Sequence, residues 1–127
     1  MKKIINTNLK TPEYDLLNRE CPLSEYPRPS FKRDSYISLN GEWDYLVTDK
    51  FDLSLDFEGK ILVPYCIESS NSGVNRPLKV GEWIIYHRKF NVPKDFIKDK
   101  TILHFMGIEQ EFDVMVNGVR YENYVSI

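Results

Sequence analysis

The side chains in this sequence best placed for chemistry fall in three places. In "GEWDY" the carboxylates Glu42 and Asp44 are two residues apart, so on a strand they share a face and could divide acid and base roles. Their neighbours read as a solvated sheet surface, and a pair without a concave scaffold does no catalysis. His87 in "YHRKF" and His104 in "LHFMG" each sit inside an alternating apolar pattern. Histidines in that setting are read as surface or satisfied polar residues rather than bases. The third place is "ESSNSGVNRPLKVGEW", a long polar stretch between two firm strand patterns, where binding residues are commonly carried. Glu68, Ser69, Asn71, Asn75 and Arg76 offer carboxylate, hydroxyl, amide and guanidinium groups suited to sugar hydroxyls, and Trp83 offers an apolar ring face. The competing reading is an ordinary connection whose Asn and Gly make turns and whose Trp belongs to the core.

Familiar catalytic signatures are missing: there is no GxGxxG, P-loop, HExxH or GxSxG. Two cysteines, Cys21 and Cys66, have no metal-ligand spacing and are too few for a disulfide framework. They read as idle thiols in a reducing compartment, with a single disulfide as the alternative. No metal and no cofactor is expected. With 17 basic and 19 acidic residues mixed along the chain, the formal net charge is -2. That excludes the basic stripe needed for nucleic acid or an anionic membrane. "MKKIINTNLK" is too polar for a signal peptide, and no apolar run approaches a membrane span. The expected location is cytoplasmic.

The elements that must hold these residues are strands. At 127 residues the chain suits one domain, and 13% aromatic residues favour sheet interiors. Residues 1–30 carry Pro12, Pro22, Pro27 and Pro29 and read as an extended arm, with one helical turn at "PEYDLLN", where Pro12 suits the first position and Thr11 the cap. Residues 31–127 read as a β-sandwich. "SYISL" and "EWDYLV" flank Asn40-Gly41, which predicts a two-residue hairpin with Trp43, Tyr45 and Val47 on its core face. "KFDLSLDFEG", "KILVPYC", "WIIYHRKFNVP" and "TILHFMGI" predict further strands. "EFDVMVNGVRYE" predicts a closing hairpin with Val114, Val116, Val119 and Tyr121 in one apolar row. Many short strands with frequent turns predict an all-β sandwich.

Four stretches fall in a shared order: "PRPSFKRDSYISLNGEWDY", "ILVPYCIESSNSG", "YHRKFNVP" and "LHFMGIEQEFDVMVNGV". Over roughly residues 26–119 they resemble the N-terminal sugar-binding domain of family two glycoside hydrolases, the β-galactosidase and β-glucuronidase group. The resemblance implies a jelly-roll β-sandwich of the galactose-binding type, accessory to a (β/α)₈ barrel that carries two catalytic glutamates. It places Asn71, Asn75 and Arg76, with Glu68 and Trp83, as substrate-edge candidates by loop position. No catalytic residue is assigned, because the barrel is not in this sequence. Family members continue past the "VNG" hairpin with strands that close the sandwich, so the last strands are expected to be lacking here. "GIEQEFDV" also departs from the family's aspartate and aromatic pattern. The expectation is a non-catalytic carbohydrate-binding accessory domain for a β-galactoside or β-glucuronide, forming a homo-oligomer through an open sheet edge. The alternatives are an independent carbohydrate-binding module or an oligomerisation domain.

Overall fold

The computed structural model describes residues 9–50, 56–109 and 111–125. The chain divides into two compact units, residues 1–91 and 92–127. Regular structure is strand with a few single 3₁₀ turns, so the fold is all-β. No helix among the described residues is long and apolar enough to cross a membrane.

The first unit holds an antiparallel sheet of three strands: β1 (Gly41–Thr48), β2 (Gly59–Val63) and β3 (Trp83–His87), in the order β2-β1-β3. Register fixes the two faces. Trp43 lies opposite Ile61, and Tyr45 opposite Gly59 and Tyr86. Asp44 lies opposite Lys60 on one side and His87 on the other. Strand alternation therefore puts Trp43, Tyr45 and Val47 on one face, as the sequence predicts, and Glu42, Asp44, Lys60 and His87 on the other. Ile61, Leu62 and Ile67 are almost fully buried, at 0%, 4% and 2% exposure. Burying each such side chain stabilises by about 1.5–3 kcal/mol.

Upstream of the sheet, Pro12–Leu16 forms a 3₁₀ turn with Pro12 at its start and Thr11 in the cap position. Thr11 caps with its backbone: its carbonyl accepts from Tyr14 N–H at 3.0 Å, and its side chain makes no cap bond.

The predicted hairpin at Asn40-Gly41 does not form. Residues 35–40 are irregular and β1 begins at Gly41. Asn40 instead donates its side-chain amide to Pro22 O at 3.0 Å. Gly41, at φ 126°, brings its backbone so close to the Glu20 carbonyl that a Cβ would stand 2.5 Å from the oxygen. The dipeptide docks the Glu20–Leu23 stretch rather than reversing the chain. Pro22 is fully buried. The strand expected from "KFDLSLDFEG" falls largely on residues 51–55, outside the described residues, and Phe57 is irregular. β2 stops at the cis Val63–Pro64 peptide, and β3 ends at His87, six residues before Pro93 where its pattern runs out.

The second unit holds a hairpin of β4 (Glu111–Val116) and β5 (Val119–Val125). Here Asn117-Gly118 does make the turn, with φ 50° and 81° and Val116 opposite Val119. Positive φ at both central residues matches the right-handed twist of the strands. The register shifts between Phe112 and Val114, an irregularity that offsets the two halves of the ladder. Arg120 donates to Asp113 at 2.6 Å across the polar face. "TILHFMGI" forms no strand: residues 101–105 are irregular and exposed.

Candidate functional site

The polar face of the three-stranded sheet carries a row of charge. Asp44 sits on the central strand with a neighbour in register on each side. Lys60 Nζ reaches Asp44 Oδ1 at 2.6 Å, and His87 Nδ1 reaches Oδ2 at 3.0 Å. Each carboxylate oxygen is therefore engaged by a different strand. Glu42 lies further out, 4.0 Å from Lys60. Phe57 stacks on the His87 ring, with centroids 4.9 Å apart and planes 16° from parallel. Glu42, Arg88 and Lys89 complete the lining of an open concavity of about 470 Å³ around this row.

These contacts set the charge states. Bonding to Lys60, and then to His87, holds the Asp44 carboxyl below its ordinary value of 3.8. The same bond to Asp44 raises Lys60 above 10.5. Asp44 is thus a fixed anion at neutral pH and cannot donate a proton as a general acid. The folded state lowers the Asp44 pKa, so its contribution to stability is present above about pH 4 and is lost as pH falls through the folded value. Asp44→Asn should therefore lower the urea midpoint at pH 7, with the gap to the parent closing below about pH 4. A gap of constant size down to the acid limit would show that Asp44 is not held by these partners.

On the opposite face Arg88 donates through Nη1 to the carbonyls of Leu39 at 2.6 Å and Asn40 at 3.0 Å. Trp43 Nε1 donates to the same Leu39 oxygen at 2.7 Å, and the Arg88 guanidinium lies 6.0 Å from the Trp43 ring centre. Burial first, then the nearby Glu68 carboxylate and Cys66 thiol, raise the Tyr86 phenol above its ordinary value.

The loop after β2 is organised from within. Ser69 Oγ accepts from Asn71 N–H at 3.2 Å, capping the single 3₁₀ turn Ser70–Ser72. Ser72 is buried, at 1% exposure, and its hydroxyl lies 2.7 Å from Ser69 O and accepts from Val74 N–H at 3.1 Å. Arg76 N–H bonds to Ile67 O at 3.0 Å, folding the loop back beside Glu68. The Arg76 guanidinium reaches Glu82 at 2.9 Å and Glu58 at 3.6 Å, while the other Glu82 oxygen accepts from Lys79 N–H at 2.8 Å.

Of the loop residues singled out in the sequence, Glu68 is exposed, while Asn71 and Asn75 are half-buried, with Asn75 at φ 53°. Arg76 ties the loop's ends together, and Trp83 begins β3 at 45% exposure. None of the five lines the concavity on the sheet. The sequence places Glu42 and Asp44 on one face but does not bring Lys60 and His87 to them. The available signal was opposite charge on neighbouring strands in the same phase, which only a register can convert into contact. Both cysteines are free thiols. Among the described residues no group of His, Cys, Asp and Glu could hold a metal ion. No protein-family model matches the chain, and no curated protein matches it.

Proposed function

We propose that the chain is a non-catalytic accessory domain of a β-galactosidase-like glycoside hydrolase, a jelly-roll sandwich of the galactose-binding type that contacts a β-galactoside or β-glucuronide. The observation that carries this reading is the junction at Arg88. "LNGEW" and "YHRKF" are two of the stretches on which the resemblance rests, and they lock together through Arg88, Trp43 and the Leu39 carbonyl. The charge state of Asp44 adds to it. Glycoside hydrolysis needs one carboxyl kept protonated as acid beside a second carboxylate, and Asp44 is driven the other way. Carbohydrate is the partner in this reading, with no nucleic acid or membrane, and two free thiols suit a cytoplasmic setting.

The substrate edge is the 68–76 stretch with Trp83. Arg76 serves it indirectly by closing the loop on Glu82. One loop offers few convergent bonds, so free methyl β-galactoside should bind in the millimolar range, about -4 kcal/mol. Titration followed by backbone amide NMR should move residues 68–76. Asn71→Ala should weaken that response, because the loop holds Asn71 by its backbone N–H, bonded to Ser69 Oγ, and among the described residues its amide group makes no bond to the loop. Aryl β-galactosides should not be hydrolysed above the buffer rate. A silent titration at saturating sugar, or turnover that survives repurification, overturns the reading. A micromolar dissociation constant would favour an independent binding module.

A second reading, homo-oligomerisation, rests on the hairpin of the second unit. Val116, Val119 and Tyr121 are 40%, 55% and 48% exposed in one apolar row, on a sheet that has two strands among the described residues. Such a row, with an edge unpaired among the described residues, invites pairing with another chain. Light scattering at micromolar concentration decides between monomer and assembly.

A further inference from the structure

Two hollows meet on the polar face of the sheet. The larger, about 470 Å³, is lined by Asp44, Phe57, His87 and Lys89. The smaller, about 90 Å³, is lined by Arg19, Ser72 and Gly73 together with the buried Ile61 and Leu62. Glu42 and Lys60 wall both. We infer, resting on the carbohydrate reading, that the two hollows are one groove for a neutral oligosaccharide. The groove runs from the substrate-edge loop at Ser72 and Gly73 across the sheet to Phe57 and His87.

Register gives the groove its length. Lys60, Asp44 and His87 stand opposite one another on three neighbouring strands. At about 4.8 Å between strands, that row alone spans about 10 Å. The smaller hollow adds the 3₁₀ turn that follows β2. One sugar ring covers only part of such a line, and a chain of two or more covers it.

The lining sets the charge of the ligand. Arg88 holds its guanidinium on the Trp43 face, bonded to the Leu39 and Asn40 carbonyls. The sheet part of the groove therefore sets Lys60 and Lys89 against Glu42 and Asp44, and balanced signs select no ion. What the lining offers is acceptors beside donors. Glu42, 65% exposed and 4.0 Å from Lys60, has oxygens to offer a ligand. Lys60 commits one of its three N–H donors to Asp44 at 2.6 Å. A sugar hydroxyl both donates and accepts, so it matches this mixture, whereas a carboxylate or an ammonium group matches half of it. Phe57, stacked on His87 at 4.9 Å, adds apolar ring surface for the C–H face of a sugar. Clefts of about 300–1,000 Å³ that combine aromatic surface with a few polar groups are the usual form of a ligand site.

The test is an amide NMR titration of the whole chain with lactose, a β-galactoside disaccharide, and separately with methyl β-galactoside. Lactose should move residues 42–44, 57–62 and 87–89 as well as 68–76, and the shifts should saturate. It should bind about threefold to tenfold more tightly than methyl β-galactoside, the effect of one added hydrogen bond. Glu42→Ala removes the acceptor common to both hollows and should abolish most of that advantage. Glu42→Gln keeps an acceptor oxygen and should retain it. Sheet residues that stay silent at saturating lactose, or an advantage unchanged in Glu42→Ala, overturn the groove. The carbohydrate reading survives that failure if methyl β-galactoside still moves residues 68–76. Silence at 68–76 with both sugars overturns that reading, and the groove with it.

Discussion

Gly41→Ala should destabilise the first unit by about 3 kcal/mol, although it adds only one methyl group. Two costs combine. At φ 126° the backbone is in a region that L residues rarely adopt, and holding alanine there costs about 1–3 kcal/mol. The new Cβ would also stand 2.5 Å from the Glu20 carbonyl oxygen, and 3.2 Å from Arg88 Nη1. The first contact is with backbone, which cannot swing aside as a side-chain tip can, so overpacking adds about 1–3 kcal/mol. The two losses overlap if the segment shifts, which is why the expected total is below their sum. Gly118→Ala supplies the control. It also has positive φ, at 81°, but nothing lies within 4 Å of the added atom. It should cost only about 1 kcal/mol. Urea midpoints at unchanged slope measure both. If Gly41→Ala loses no more than Gly118→Ala, the Glu20 carbonyl retreats freely and the Glu20–Leu23 stretch is not docked on β1.

The contrast between those glycines shows how far sequence reasoning reaches. Asn-Gly occurs twice, each time between alternating apolar runs. At Asn117-Gly118 both flanking runs pair with each other, and the dipeptide makes the expected turn. At Asn40-Gly41 the upstream run "SYISL" finds no ladder. The Leu39 carbonyl takes side-chain donors from Trp43 and Arg88, and the Asn40 carbonyl takes one from Arg88. A backbone satisfied by side chains has no need of a strand partner. Trp43 is four residues from Leu39, but Arg88 is 49 away, so no local pattern reveals the full set of donors. The face of Trp43, Tyr45 and Val47 was legible because alternation alone decides it. The Asp44 row was not, since it depends on which residue of β2 and which of β3 stand opposite. The loop residues were legible as polar and turn-forming, but Arg76's engagement with Glu82 and Glu58 turns a candidate ligand contact into a structural tie. "TILHFMGI" is apolar enough to read as a strand and still forms none, because composition marks a candidate while only a neighbouring strand makes a ladder.

Trp43 and Arg88 should prove coupled, in a direction that tells which of their contacts matters. Trp43→Ala removes a half-buried indole and should cost about 3 kcal/mol, the low end for an aromatic truncation. Arg88→Met keeps the apolar stem but withdraws two charge-assisted bonds, and should cost about 2 kcal/mol. Arg88→Lys should recover only part of this, since a single ammonium does not reproduce the planar fork. Two opposing effects act in the double variant. The ring and the guanidinium attract one another, which makes the joint loss smaller than the sum. At 6.0 Å that contact is at the limit of its range and contributes about 0.5 kcal/mol. Against it, both side chains donate to one acceptor, the Leu39 oxygen, at 2.7 Å and 2.6 Å. Either single variant leaves that carbonyl one donor, and the double variant leaves it none of these, a penalty of about 1–3 kcal/mol for a shielded group. The second effect is larger, so the double variant should lose more than the two singles together, by about 1 kcal/mol. Urea unfolding followed by far-UV circular dichroism measures all four proteins without relying on the indole that is removed. A joint loss equal to or below the sum would mean that water reaches the Leu39 carbonyl and the ring–cation contact sets the coupling.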